Sequence, residues 1–194
     1  IKPDYAEAYS NMGVALKDQS KLEKAIEAYK KAISIKPDYA EAYSNLGTVF
    51  QAQGKLEEAI KAYNKALYIK PEFTEANYNN GIALQEQGKL EEAIECFSNA
   101  LSIKPDYAGA YNNIGIALSN VTFKKPNRDL QKTIVSLLSK ERYVRPKDIT
   151  KSSISLLKLE PTVQKHLQLV DSGGFIDSPL DVISDLSEFP LLLK

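Results

Sequence analysis

Apolar and polar residues follow one another at helical spacing over the first 120 positions, and the whole pattern recurs. Residues 6–39, 40–73 and 74–107 read AEAYSNMGVALKDQSKLEKAIEAYKKAISIKPDY, AEAYSNLGTVFQAQGKLEEAIKAYNKALYIKPEF and TEANYNNGIALQEQGKLEEAIECFSNALSIKPDY, a period of 34 without insertion. A fourth copy begins as AGAYNNIGIALSN at residues 108–120 and then dissolves, while residues 1–5, IKPDY, match the tail of a copy. Within each copy the spacing predicts two amphipathic helices, the first carrying residues such as Tyr9, Met12 and Leu16 on one face. Gly54 and Gly88, each followed by Lys-Leu-Glu-Glu, predict the tight turn between the helices. Pro37, Pro71 and Pro105 predict the end of the second helix.

Several residues repeat for a physical reason. Gly13, Gly47, Gly81 and Gly115 fall inside the first helix, where glycine is unfavourable unless another chain segment comes close. Ala25, Ala59, Ala93, Ala32, Ala66 and Ala100 are small for the same reason, whereas Leu16, Phe50, Leu84 and Leu118 supply bulk on the first helix and Tyr29, Tyr63 and Phe97 on the second. This set resembles the signature of the tetratricopeptide-repeat (TPR) family over residues 1–120. The resemblance implies an all-α fold, a right-handed α-solenoid of antiparallel helix pairs in which neighbouring repeats supply one another's core. Three departures stand out. Ser20 replaces the turn glycine, and Asn77 and Asn80 replace an aromatic residue and a leucine, which predicts weaker local packing in the third repeat.

TPR arrays bind extended peptides or helices in a concave groove lined by their first helices. Asn11, Asn45, Asn79 and Asn113 recur at one register there. An asparagine amide offers donors and an acceptor, so a ladder of them can pair with the N–H and C=O of a peptide backbone. The TPR arm of O-GlcNAc transferase is similar in this respect. The alternative is that these asparagines hydrogen-bond neighbouring helices of the scaffold. Other candidates for the lining are Ser10, Ser44, Tyr78 and Asn112, with Lys17, Gln51 and Gln85 further along and Glu7, Glu41 and Glu75 near the helix starts. TPR domains that clamp acidic chaperone tails use lysine and arginine where this chain carries serine, tyrosine and asparagine, which argues against a carboxylate clamp.

Charge changes the picture after residue 123. Residues 1–123 carry 13 Lys/Arg against 16 Asp/Glu, residues 124–158 carry 10 against 3, and residues 159–194 carry 2 against 6. This asymmetry marks a new structural unit near residue 120. Residues 121–194 are expected to form helices that cap the solenoid, or a linker. They resemble the junction segment of bacterial TPR proteins with a methyltransferase-like or glycosyltransferase-like domain downstream. The ending PLLLK and the opening IKPDY both suggest a piece of a longer array. The basic run from Lys124 to Lys151 invites a nucleic-acid reading, but it holds one aromatic, Tyr143, and no recognised nucleic-acid motif, so a protein-facing role is favoured.

The chemistry of the side chains points away from catalysis. His166 is the only histidine and Cys96 the only cysteine, so no histidine-based triad, disulfide or metal cluster can be assembled. Cys96 aligns with Ala28 and Ala62, as a small packing residue does. Glu57–Glu58 and Glu91–Glu92 follow the turns, where acids favour helix starts. No signal peptide or membrane-length apolar run is found, and the expected setting is cytoplasmic. The reading is a protein–protein interaction scaffold with no cofactor, no metal and no enzymatic activity. The alternative is the substrate-recruiting arm of a larger enzyme. Self-association through exposed repeat ends is a further expectation about partners.

Overall fold

Seven α-helices account for nearly all of residues 4–120, the part of the chain that the computed structural model describes. They are α1 (Asp4–Asp18), α2 (Leu22–Ile35), α3 (Ala40–Ala52), α4 (Leu56–Ile69), α5 (Thr74–Glu86), α6 (Leu90–Ile103) and α7 (Ala108–Asn120). Each predicted repeat is one hairpin: α1 packs on α2, α3 on α4 and α5 on α6, and the second helix of one hairpin then packs on the first helix of the next. The architecture is an all-α TPR solenoid. The expectations placed on residues 121–194 (the helical cap, the basic run and His166) lie outside the described residues, as do Ile1, Lys2 and Pro3.

The turns inside the hairpins share one construction. Gly54 N donates to Gln51 O at 2.8 Å and Lys55 N to Phe50 O at 2.9 Å, with Gly54 at φ 71°. This pair of bonds is the Schellman closure, which satisfies the last carbonyls of a helix through one residue in the left-handed region. Gly88, at φ 80°, closes α5 in the same way. Ser20 occupies the equivalent place at φ 58° with both bonds intact, so the first hairpin reaches the same turn with a side chain that disfavours it. Between hairpins the recurring Lys-Pro-acid-aromatic segment lays a lysine over a ring. The ammonium of Lys36 is 4.9 Å from the Tyr39 ring centroid and that of Lys70 4.8 Å from Phe73.

The mid-helix glycines are explained by rings. A Cβ on Gly47 would lie 2.7 Å from the Tyr63 ring, and one on Gly13 or Gly81 would lie 2.6 Å from Tyr29 or Phe97. The second helix of each hairpin thus seats its fully buried aromatic in a notch on the first, and alanines such as Ala25, Ala32, Ala59 and Ala66 keep the backbones close. Between hairpins the core is continuous. Ala25 and Tyr29 of the first join Leu46 and Val49 of the second, and Tyr63 of the second joins Ala83 of the third. Phe50 packs against both clusters.

Two residues differ from their counterparts in the other copies. Met12 is not a core residue. It is 44% exposed, whereas Leu46 at the same register is 7% exposed, because Leu46 is covered by α2 and no earlier hairpin stands before α1 among the described residues. Asn77 does more than leave a gap in the third repeat. It is buried, and its amide donates to Pro71 O at 3.3 Å and Phe73 O at 3.2 Å, tying the α4–α5 loop to the start of α5.

The chain divides into two compact units between Ala110 and Tyr111, inside α7. The first holds the three hairpins. The described part of the second is the remainder of α7, where Ile114, Ala117 and Leu118 are buried.

Candidate peptide-binding face

Within the first unit α1, α3 and α5 are neighbours, and each carries one of the aligned asparagines. Asn11 is exposed, and Asn45 and Asn79 are half-buried. None of the three forms a hydrogen bond with another described residue. Glu7, Glu41 and Glu75 each lie four residues earlier, one helical turn away on the same face, and all three are exposed. Asn113, half-buried, and Asn112, exposed, belong to α7 in the second unit.

The other predicted lining residues divide into three groups. Ser10 and Ser44 are buried, only 3% and 5% exposed, so they turn toward the packing side and offer nothing to a ligand. Tyr78 is half-buried in an aromatic group, 4.7 Å from the Tyr107 ring and 5.7 Å from Phe97. Lys17, Gln51 and Gln85 are half-buried, and each differs in its partners. The Lys17 ammonium is 3.7 Å from the Asp18 carboxylate.

Gln51 is the centre of a bridge that the periodic pattern does not reveal. Tyr63 Oη donates to Gln51 Oε1 at 3.1 Å and lies 3.3 Å from Thr48 Oγ1, while Gln51 Nε2 donates to Glu86 Oε1 at 3.0 Å. The bridge runs from α4 through α3 to α5. Burial pushes the Tyr63 phenol up to about 12; the Thr48 contact offsets part of that rise and the Glu86 charge adds to it. In the third hairpin the ring at this register is Phe97, which has no hydroxyl, and Gln85 Oε1 is enclosed without a partner. In the first hairpin Tyr29 keeps its hydroxyl, the place of Gln51 is taken by Lys17, and Tyr29 Oη is enclosed without a partner. Burial, then the Asp18 charge, pushes that phenol up to about 12 as well.

Glu41 is tied by Lys70, whose Nζ donates to its carboxylate at 3.0 Å. Burial raises this carboxyl, but the Lys70 hydrogen bond, its own backbone N–H and the charges of Lys70 and Lys36 outweigh that and hold it below the ordinary glutamate value. Cys96 is half-buried; burial first, then Glu95 and Glu92, push its thiol up to about 11, against a lowering contact from Asn80. Such a thiol is protonated at neutral pH and fits a packing role. No group of histidine, cysteine, aspartate and glutamate able to hold a metal occurs among the described residues, and no described helix is long and apolar enough to cross a membrane.

Two family patterns match this chain: the one described as TPR repeat at residues 15–54 and 83–120, and the one described as tetratricopeptide repeat at residues 40–73. The chain is a TPR protein. Solved TPR structures resemble it closely in fold. MamA is 28% identical with a TM-score of 0.61, over 73% of this chain and 81% of MamA. The second TPR domain of human RPAP3, in complex with the HSP70 peptide SGPTIEEVD, is 26% identical with a TM-score of 0.58, over 60% of this chain and 98% of that domain. The first TPR of Spaghetti (RPAP3), bound to the HSP90 peptide SRMEEVD, is 23% identical with a TM-score of 0.59, over 60% of this chain and 93% of that one. No curated protein matches the TPR chain.

Proposed function

We propose that this TPR protein is an interaction scaffold that holds an extended segment of another protein across α1, α3 and α5. The observation that carries the reading is the set Asn11, Asn45 and Asn79. These asparagines are aligned, accessible, and free of hydrogen bonds to other described residues. Asparagine in a helix interior is unfavourable because its amide competes for backbone groups. Three such residues left unused by the scaffold suit a ligand backbone, to which each amide can both donate and accept. The peptide complex of the human RPAP3 domain, a TPR fold of related sequence, supports the same class of partner.

The test pairs affinity with stability. The double variant Asn45→Ala/Asn79→Ala is compared with the parent chain against an array of capped, unstructured peptides and in thermal unfolding. Two lost amide–backbone pairs, at about 0.5–1.5 kcal/mol each, should weaken binding roughly five- to a hundredfold. The unfolding midpoint should stay nearly unchanged. A destabilised protein with undiminished affinity would assign the asparagines to the scaffold instead.

A further inference from the structure

Charge on α1, α3 and α5 is predominantly negative, the same sign as the ends of the peptides that the similar TPR domains hold. Among the described side chains of α1, α3 and α5 the acidic ones are Glu7, Asp18, Glu41, Glu75 and Glu86, and Lys17 is the lone basic one. Their positions matter more than their number. Glu7, Glu41 and Glu75 precede Asn11, Asn45 and Asn79 by four residues, and Asp18 and Glu86 follow Asn11 and Asn79 by seven. Both offsets return to one face of an α-helix.

At a rise of 1.5 Å per residue those carboxylates lie roughly 6 Å to one side of the asparagine row and roughly 10 Å to the other. A chain laid along the asparagines would therefore run between two acidic margins, both near the screening length of about 8–10 Å at physiological ionic strength. Neutralisation within the protein is partial. Lys17 is spent on Asp18 at 3.7 Å and Lys70 on Glu41 at 3.0 Å. Glu86 accepts the Gln51 amide. Glu7 and Glu75 are exposed and form neither an ion pair nor a hydrogen bond with another described residue.

We infer that the partner segment is basic, an extended stretch whose lysines or arginines flank the backbone held by the asparagine row. This rests on the binding face proposed above and adds the sign of its ligand. It separates this protein from the RPAP3 domains, whose bound peptides SGPTIEEVD and SRMEEVD are acidic at their ends. A terminal carboxylate placed on this face would meet Glu7, Glu41 and Glu75 and find no free cation on α1, α3 or α5.

The full chain is titrated with three capped peptides that share one Ala/Thr/Ser sequence, bearing three lysines, three glutamines or three glutamates at the same places. The expected order is lysine over glutamine over glutamate. Lysine and glutamate should differ by roughly tenfold or more at low salt, and that gap should close as salt is raised. The variant Glu7→Gln/Glu75→Gln, in which two exposed carboxylates become amides of the same shape, should lose most of the preference and keep its unfolding midpoint. Equal affinity for the three peptides, all weakened by Asn45→Ala/Asn79→Ala, would overturn the basic-partner inference and leave the asparagine reading standing. A preference for lysine that survives in Glu7→Gln/Glu75→Gln would overturn it too, since the charge responsible would then lie elsewhere. Should none of the peptides bind, the binding face fails and this inference fails with it.

Discussion

Tyr63 donates a hydrogen bond to Gln51, and at the same two positions of the neighbouring hairpins one half of that pair is missing. The third hairpin has the acceptor, Gln85, without a hydroxyl; the first has the hydroxyl, Tyr29, without an acceptor. A buried polar group without a partner costs more than the bond itself is worth. Phe97→Tyr is therefore expected to stabilise the protein by about 0.5–1.5 kcal/mol by serving Gln85, and Tyr63→Phe to destabilise it by about as much. Tyr29→Phe should be neutral or slightly stabilising. Urea denaturation of the three variants measures this directly, and a loss at Phe97→Tyr would show that the third hairpin has no room for the hydroxyl. Asn80 is a related case. It is 2% exposed, its amide donates to Asn64 Oδ1 at 2.8 Å and approaches Cys96 Sγ at 3.6 Å, and its own Oδ1 has no partner. Asn80→Leu places the residue found at Leu46 in the equivalent position and should gain about 1–2 kcal/mol, read from the same denaturation curves.

The hairpin as an element was legible from the sequence almost to its last residue. Its glycine notch, its alanines and its seated aromatic recur because the contacts they make are internal to the hairpin, so each copy needs the same residues. The turn was legible too, including its exception. Ser20 holds φ 58°, where a Cβ crowds the backbone and a glycine would not. Part of that gain is returned by the greater freedom of glycine in the unfolded chain. Ser20→Gly should on balance raise stability by about 0.5–1 kcal/mol, and a shift of the unfolding midpoint upward by a few degrees would register it. What the sequence did not disclose at this scale is which side of the first helix each polar residue serves. Ser10 and Ser44 looked like groove residues beside an asparagine, and a helix-wheel position cannot distinguish a half-turned serine from an exposed one. The Tyr63–Gln51–Glu86 bridge was hidden for a different reason: it spans 35 residues and depends on a tyrosine that one copy has and the next lacks.

On the scale of the described molecule, neighbouring hairpins share core clusters, and Phe50 belongs to two of them. Strain at one buried group should therefore be felt by the next hairpin, as in a stack whose stability is a sum of local and nearest-neighbour terms. Alkaline titration offers a test. Tyr29 and Tyr63 have phenols raised to about 12 from an ordinary 10.0, so the folded chain favours their protonated form. A group raised on folding contributes fully below its unfolded value and loses that contribution as pH climbs through its folded one. Stability should hold below pH 10 and fall between 10 and 12, with late tyrosinate absorbance rising as helical signal is lost. Tyr63→Phe should shallow that fall. An unchanged unfolding midpoint up to pH 12 would contradict it.

The joints between hairpins are less uniform than the hairpins. Gln53, just after α3, donates to Glu23 of α2 at 3.1 Å, Gln51 reaches Glu86, and Asn80 meets Asn64. The last two of these ties use residues that the corresponding places in the preceding copy do not offer. If residues 40–73 and 74–107 were exchanged, Glu86 would come before Gln51 in the stack and not after it, and buried Asn80 would face Lys30 in place of Asn64. The silhouette would survive and the seams would not, so the order of the blocks, which their common shape leaves open, is recorded in the stitching.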